Sequence, residues 1–326
     1  MRTGSATQTA KPAKPPRPDG DIASEVAVKE LLRIAPEVQE ALHNGGPVVA
    51  LETTLIAHGF PPRVGVEVGL AAESAVRAAG AVPATIGVLD GVVAAGLSED
   101  ELVRFGDAGP DARKAGPRDL GACAAQNALG ATTVGGTLAV CRLVGIRFMG
   151  TGGIGGVHRG YAERPDVSAD LAELARTAAL VVGSGIKSLL DVPATAEALE
   201  TLGVPTLGFR TGELPLFYAA GGGPPVSARV ESADEAARIA DAHWRLGGAA
   251  LLLARPPDNG IDVGPLLEEA LDAAAAQNIS GQAVTPFVLS FLHERSGGRT
   301  LEVNRELIVA NAGLAARVAA ALSSAS

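Results

Sequence analysis

The chain has 326 residues, 47% of them hydrophobic and only 3% aromatic, with two cysteines and a formal net charge of −9. Such a composition supplies a core of small aliphatic side chains packed between helices and strands, so the expected class is α/β. The acidic balance argues against nucleic acid or an anionic membrane as the main partner, and Cys123 and Cys141, in no CxxC spacing, exclude a disulfide framework or zinc finger and fit a reducing cytoplasm.

Residues 1–22 are rich in Pro, Lys, Thr and Ala and nearly devoid of large apolar side chains. They cannot bury enough surface to offset the entropy of ordering, so a disordered tail is expected before a single α/β domain at 23–326. The basic, acid-poor tail also resembles a transit peptide in composition, but its prolines block the amphipathic helix such a peptide needs. Neither a secretory signal nor a run of about 18 apolar residues is apparent, and a cytoplasmic protein is expected.

From there, short apolar runs alternate with helical periods. "PVVALE", "VPATIGVLD", "IRFMGTGG", "AALVVGSG", "VPTLGFR" and "AALLLAR" predict strands buried on both faces, hence a parallel sheet. "VGLAAESAVRAAG", "SEDELVRFG" and "SADEAARIADAHWRLGG" predict covering helices, the last two opening on Ser with an acid three residues on. From Gly264 onward only helices are predicted, as a subdomain or an oligomer contact. The expected architecture is a three-layer α/β/α sandwich with a mostly parallel central sheet and a helical C-terminal part.

Ligands in such sheets sit beyond the carboxyl ends of the strands. Glu52 ends the first long run; a partly buried carboxyl there is either a general acid held protonated or a core-edge structural residue. At "ARKAGPRDL", Arg113, Lys114 and Arg118 gather around a Gly-Pro turn and read as a phosphate patch or a solvated loop. The run "TGGIGGVHRG" lacks GxGxxG spacing, so a dinucleotide site is not indicated; its backbone N–H groups can cradle an anion, beside His158 and Arg159. In "DVSADLAEL", Ser168 caps a helix with Asp170 in its first turn, whereas Asp166 lies outside that helix and can offer oxygen to a hard divalent cation. Lys187, in "VVGSGIKSLL", is expected at a short helix start; it is either a solvated bystander, as most lysines are, or an amine freed for nucleophilic attack because a helix N-terminus and neighbouring cations disfavour the ammonium.

Taken together, "PVVALETTLIAHG", "GAVPATIGVLDG", "ALGATTVGGT", "TGGIGGVHRG", "DVSADL", "GSGIKSLLD", "TPF" and "VNRELIVANA" resemble the pseudouridine-5'-phosphate glycosidases over about residues 34–322. The resemblance implies reversible cleavage of a C–C glycosidic bond to uracil and ribose 5-phosphate. It further implies Lys187 as nucleophile, Glu52 as acid/base and Asp166 as the protein ligand of one largely water-coordinated Mn²⁺ per subunit. Lys114, Val134 and Ser168-Ala169-Asp170 would contact substrate, with His158 and Asn304 lining the same pocket, in a homotrimer. The chain departs from the family pattern at Gly116-Pro117, where Ser-Arg is usual, and at 61–65. "FRTGELPLFY" and "ARPPDNGID" are only loosely similar. A shifted substrate preference, an aldolase-type Schiff-base lyase and a sugar-phosphate sensor without turnover are the alternatives.

Overall fold

The computed structural model describes residues 30–279 and 284–325; the tail at 1–22 lies outside them. All six long apolar runs form strands: β2 (Val48–Glu52), β3 (Val82–Leu89), β7 (Phe148–Gly150), β8 (Leu180–Gly183), β9 (Thr206–Phe209) and β11 (Leu251–Ala254). Short strands join them: β1 (Leu32–Ile34), β4 (Val92–Ala95), β5 (Arg113–Ala115), β6 (Gly130–Thr132) and β10 (Ala228–Val230). These lie outside the continuous apolar runs: β1, β5 and β10 each carry an exposed arginine, and β4 and β6 are short segments of small residues, so no apolar run marks them in sequence.

The strands form one sheet in the order β1-β4-β3-β2-β7-β8-β11-β9-β10, with β6 on β3 and β5 on β6. The stretch from β3 to β10 is parallel, while β4 and β6 run antiparallel to β3. Every residue of β2, β8 and β11 is buried, as expected of strands covered on both faces.

Helices supply the cover: α1 (Pro36–His43), α2 (Thr54–His58), α3 (Pro62–Ala78), α4 (Glu99–Ala108), α5 (Leu120–Ala125), α6 (Val134–Val144), α7 (Ala169–Leu174), α8 (Val192–Thr201), α9 (Ala233–Arg245), α10 (Gly264–Ala276), α11 (Val284–Arg295) and α12 (Arg299–Ala325). Their starts follow the expected chemistry. Ser98 accepts from the Glu101 N–H at 3.3 Å while the Glu101 carboxylate accepts from the Ser98 N–H at 2.8 Å, closing a capping box on α4. Ser232 caps α9 through the Glu235 N–H.

The C-terminal part differs from a separate subdomain. Helix α12 lies on the sheet against β2, β7 and β8, between α3 and α9, and so belongs to one layer of the sandwich. Gly150 makes this possible: a Cβ there would stand 2.8 Å from the Ala312 Cα. By length and mean hydropathy, residues 299–324 would also pass for a membrane span; 56% of the most apolar window is buried in the sandwich, which accounts for its composition.

Candidate active site

Parallel pairing brings the carboxyl ends of β2, β7 and β8 side by side. Glu52 ends β2 with 4% of its surface exposed, and the Thr151 hydroxyl just beyond β7 donates to its Oε1 at 2.5 Å. Burial raises the Glu52 pKa above the usual carboxylate range; the charges of Lys187 and Lys114 and the Thr151 bond oppose this without reversing it, and Asp170 adds to it. The outcome is a carboxyl poised to give a proton rather than to take one.

Neighbouring polar side chains fix that carboxyl in place. Asn311 of α12 donates to the Thr151 carbonyl at 2.9 Å and to Ser184 Oγ at 3.2 Å. Thr53 donates to the Ile86 carbonyl at 2.8 Å and Thr54 to the Thr132 carbonyl at 2.6 Å, pinning the turn after Glu52 to β3 and β6. Thr151 and Asn311 were missed in the sequence. The available signals were a Thr at a strand end and an Asn on the apolar face of "VANAGLAA".

Lys187 follows β8, but in a turn rather than at a helix start. Its N–H donates to the Ile154 carbonyl at 3.2 Å, its carbonyl accepts from Leu190 N at 3.0 Å, and α8 begins only at Val192, capped by Asp191. No helix therefore begins at Lys187. Lys114, on β5, keeps a solvent-accessible side chain, yet desolvation of its amine and the like charge of Lys187 hold its pKa below that of a free lysine. Asp170, Glu52 and Asp166 pull the other way, so these five groups share one recess. Of the expected basic patch, Arg113 turns to Gln126 at 2.7 Å and the Arg118 side chain stays 84% exposed beside Asp119. The Gly116-Pro117 departure is closed locally, with Asp119 accepting from the Gly116 N–H at 3.0 Å.

The glycine-rich loop is less of an anion cradle than its composition suggests. Its N–H groups at Ile154, Gly155, Val157 and His158 already donate to Gly185 O, Asp170 Oδ2, Thr195 Oγ1 and Asp166 O. Glycine is needed at 155 for closeness: a Cβ there would lie 2.4 Å from Ser168 Oγ. Ser168 caps α7 and accepts from the Asp170 N–H at 3.2 Å, with Ala169 exposed beside it. The buried Asp170 carboxylate accepts from Gly135 N at 2.7 Å and Gly155 N at 2.8 Å, clamping this loop to the start of α6. Val134 is the first, fully buried residue of α6, next to that clamp.

Asp166 stands outside α7, its side chain 52% exposed and 3.9 Å from His158 Nδ1. Among the described residues no group of three His, Cys, Asp or Glu side chains converges. A single solvent-facing carboxylate suits a hard cation whose remaining ligands are water, and does not suit a closed protein cage. Asn304 is 9% exposed, its Oδ1 buried without a hydrogen-bond partner, and a Cβ on Gly152 would lie 3.5 Å from that oxygen. An acceptor left in that state beside the loop fits a ligand-facing role.

A cavity of about 410 Å³ adjoins this recess, lined in part by Arg159, Ser188, Leu216, Gly222 and Asp262. Glu52, Lys114 and Lys187 do not line it, so it is not the recess in which those three groups gather. The loosely similar segments around Leu216 and Asp262 meet here, and Ser188 straps one of them by donating to the Leu216 carbonyl at 2.6 Å.

Comparison with known proteins places this geometry. The family model of indigoidine synthase A like proteins matches residues 37–321. The chain is 48% identical to the pseudouridine-5'-phosphate glycosidase of Streptomyces griseus, covering 88% of this chain and 91% of the relative. It is 43% identical to that of Escherichia coli K12, over 89% and 95%. Among solved structures, the prealnumycin C-glycosynthase AlnA in complex with ribulose 5-phosphate superposes with a TM-score of 0.84 at 39% identity, covering 91% and 98%. An indigoidine synthase A-like protein from Thermotoga maritima gives 0.81 at 38%, covering 90% and 97%.

Proposed function

The chain belongs to the indigoidine synthase A-like family, and from that premise we propose that it is a pseudouridine-5'-phosphate glycosidase, cleaving the C–C glycosidic bond reversibly to uracil and ribose 5-phosphate. The observation that carries the reading is the pairing of a buried, protonation-prone Glu52 at the end of β2 with Lys187 beyond the end of β8, on either side of β7.

A C-glycosidic bond offers no heteroatom to protonate on the base side, so simple departure of the base is slow. The residues present provide another route. Glu52 gives its proton to the ribose ring oxygen as the Lys187 amine bonds to C1' and the C1'–O bond breaks, opening the sugar. The attacking nitrogen then gives its extra proton to the Glu52 carboxylate; with C5 protonated through the C5=C6 pair, the nitrogen lone pair forms the C1'=N bond as the C1'–C5 electron pair restores C5=C6, releasing uracil. Water hydrolyses the imine, releasing ribose 5-phosphate and free Lys187. Lys114, the amine with the lowered pKa, gains from an anion beside it and suits the substrate phosphate. His158 and Asn304, with the Val134 and Ser168-Ala169-Asp170 helix starts, line the remainder of the substrate recess.

Asp166 would hold one Mn²⁺ with a shell mostly of water; when bound, the ion supplies charge stabilisation and acidified water next to the substrate. Assembly as a homotrimer belongs to the same reading. A second reading, the same bond chemistry with another aromatic partner, is favoured by the likeness to a C-glycosynthase and by the divergent segments around Leu216 and Asp262. Uracil release from pseudouridine 5'-phosphate by the purified protein tests the proposal. Rapid release is the expected result; ribose 5-phosphate binding without release or formation of that bond would favour the second reading.

A further inference from the structure

A second cavity, of about 430 Å³, lies on the opposite face of α12, lined by Ala75, Ala78, Ala79, Val309, Ala310, Gly313, Arg255 and Arg317. Helix α12 sends Asn304 and Asn311 toward the glycine-rich loop and the β7 and β8 ends, and Arg317 into this cavity, so the two places are physically separate.

The cavity has an unbalanced charge. Arg255, with 13% of its side chain exposed, is held by Asp258 at 2.6 Å and by the Pro256 carbonyl at 3.2 Å. Arg317 has no carboxylate within 4 Å among the described residues. Burial and the like charges of Arg255 and Arg210 lower its pKa, the signature of a guanidinium facing other cations without an intervening anion. In a chain of net charge −9, such a local cluster stands out. The walls are small: Ala75, Ala78, Ala79, Ala310 and Gly313 leave depth for a ligand beside the two forks. The uncommitted Arg317 guanidinium can donate two parallel N–H bonds to the oxygens of a phosphate, while Arg255, held by Asp258 and the Pro256 carbonyl, adds positive charge at its side.

We propose that this cavity is an anion-binding site, separate from the reacting centre, that takes a phosphate group, free or as a phosphate ester, between Arg255 and Arg317. Occupancy neutralises Arg317 and ties α12 to the end of β11, so it also stabilises the fold by mass action.

The test is equilibrium dialysis of inorganic phosphate against the full chain carrying Lys114→Ala, which weakens the reacting centre's own phosphate contact. One phosphate per chain should remain, and adding Arg317→Gln should weaken it by about tenfold or more. Ala78→Glu, at an exposed wall position, should do the same by placing a carboxylate inside the cavity, which guards against a folding defect in the arginine variant. Arg317→Lys, charged but without the fork, should bind with intermediate affinity. Unchanged phosphate binding in both the Arg317→Gln and Ala78→Glu backgrounds would overturn the proposal. So would absence of this phosphate together with a change in oligomeric mass on Arg317→Gln, which would show that the arginines face acidic groups of a second copy. Glucose 6-phosphate competing as well as inorganic phosphate would show that esters are accepted; competition by inorganic phosphate alone would restrict the site to the free ion.

Discussion

Two carboxyls in this molecule sit at similar addresses and have different surroundings. Glu52 at the end of β2 and Glu73 on α3 are each bonded to a threonine hydroxyl, Thr151 just beyond β7 and Thr85 on β3, and burial raises the pKa of both. Around Glu52 the next charges are Lys187, Asp170 and Lys114, gathered near the strand ends. Around Glu73 they are Arg77, Glu37 and Glu99, with Arg77 already held by Glu37 at 2.6 and 2.8 Å. A buried carboxyl bonded to a threonine is therefore not itself a mark of catalysis. What separates the two is the arrival of two amines, Lys187 and Lys114, at one of them.

Substitutions should divide the molecule along this line. Lys187→Ala should lower uracil release by at least about 10⁴-fold with binding of ribose 5-phosphate retained, because the nucleophile is lost and the pocket is not; near-normal turnover would remove Lys187 from the scheme. Glu52→Gln should cost about 10²- to 10⁴-fold. Its pH profile is the sharper readout. Wild-type turnover should fall as pH rises through the raised Glu52 pKa, because the protonated form acts, and the variant's residual rate should lack that limb. Asp166→Ala should weaken Mn²⁺ binding by about tenfold or more, read by the paramagnetic resonance of free Mn²⁺ apart from any activity; unchanged binding would move the metal elsewhere.

Glu73→Gln should give the smallest effect. With its folded pKa raised, Glu73 favours folding fully below the ordinary carboxylate pKa near 4.5, and that contribution is lost as pH rises through the raised value. The amide removes this loss, so the variant should gain up to about 1 kcal/mol of stability at neutral pH relative to acid, with turnover unchanged. A large loss of turnover in Glu73→Gln would erase the distinction between the two carboxyls.

Much of the sheet was legible because its central strands lie in continuous apolar runs buried on both faces, and several helix starts carry their caps in sequence. The edge strands β1 and β10 and the β5–β6 pair are held by neighbours rather than by a pattern of their own. At the site, Glu52, Lys187 and Asp166 were legible as strand-end or loop residues. Their convergence was not, since it depends on β2, β7 and β8 lying side by side across more than a hundred residues of chain. The backbone donors of "TGGIGGVHRG" looked free for a ligand; Asp170, Thr195 and the Asp166 carbonyl occupy several of them, partners that only the fold supplies. The placement of α12 within a sandwich layer rested on the small residues Gly150 and Ala312, whose contact no local pattern announces.

The most direct test of the account is borohydride reduction of the protein during turnover of pseudouridine 5'-phosphate, followed by peptide mapping. It predicts a reduced pentose-phosphate adduct on Lys187, formed in wild type and Glu73→Gln and absent in Lys187→Ala. No adduct during active turnover, or an adduct on Lys114 instead, would contradict it.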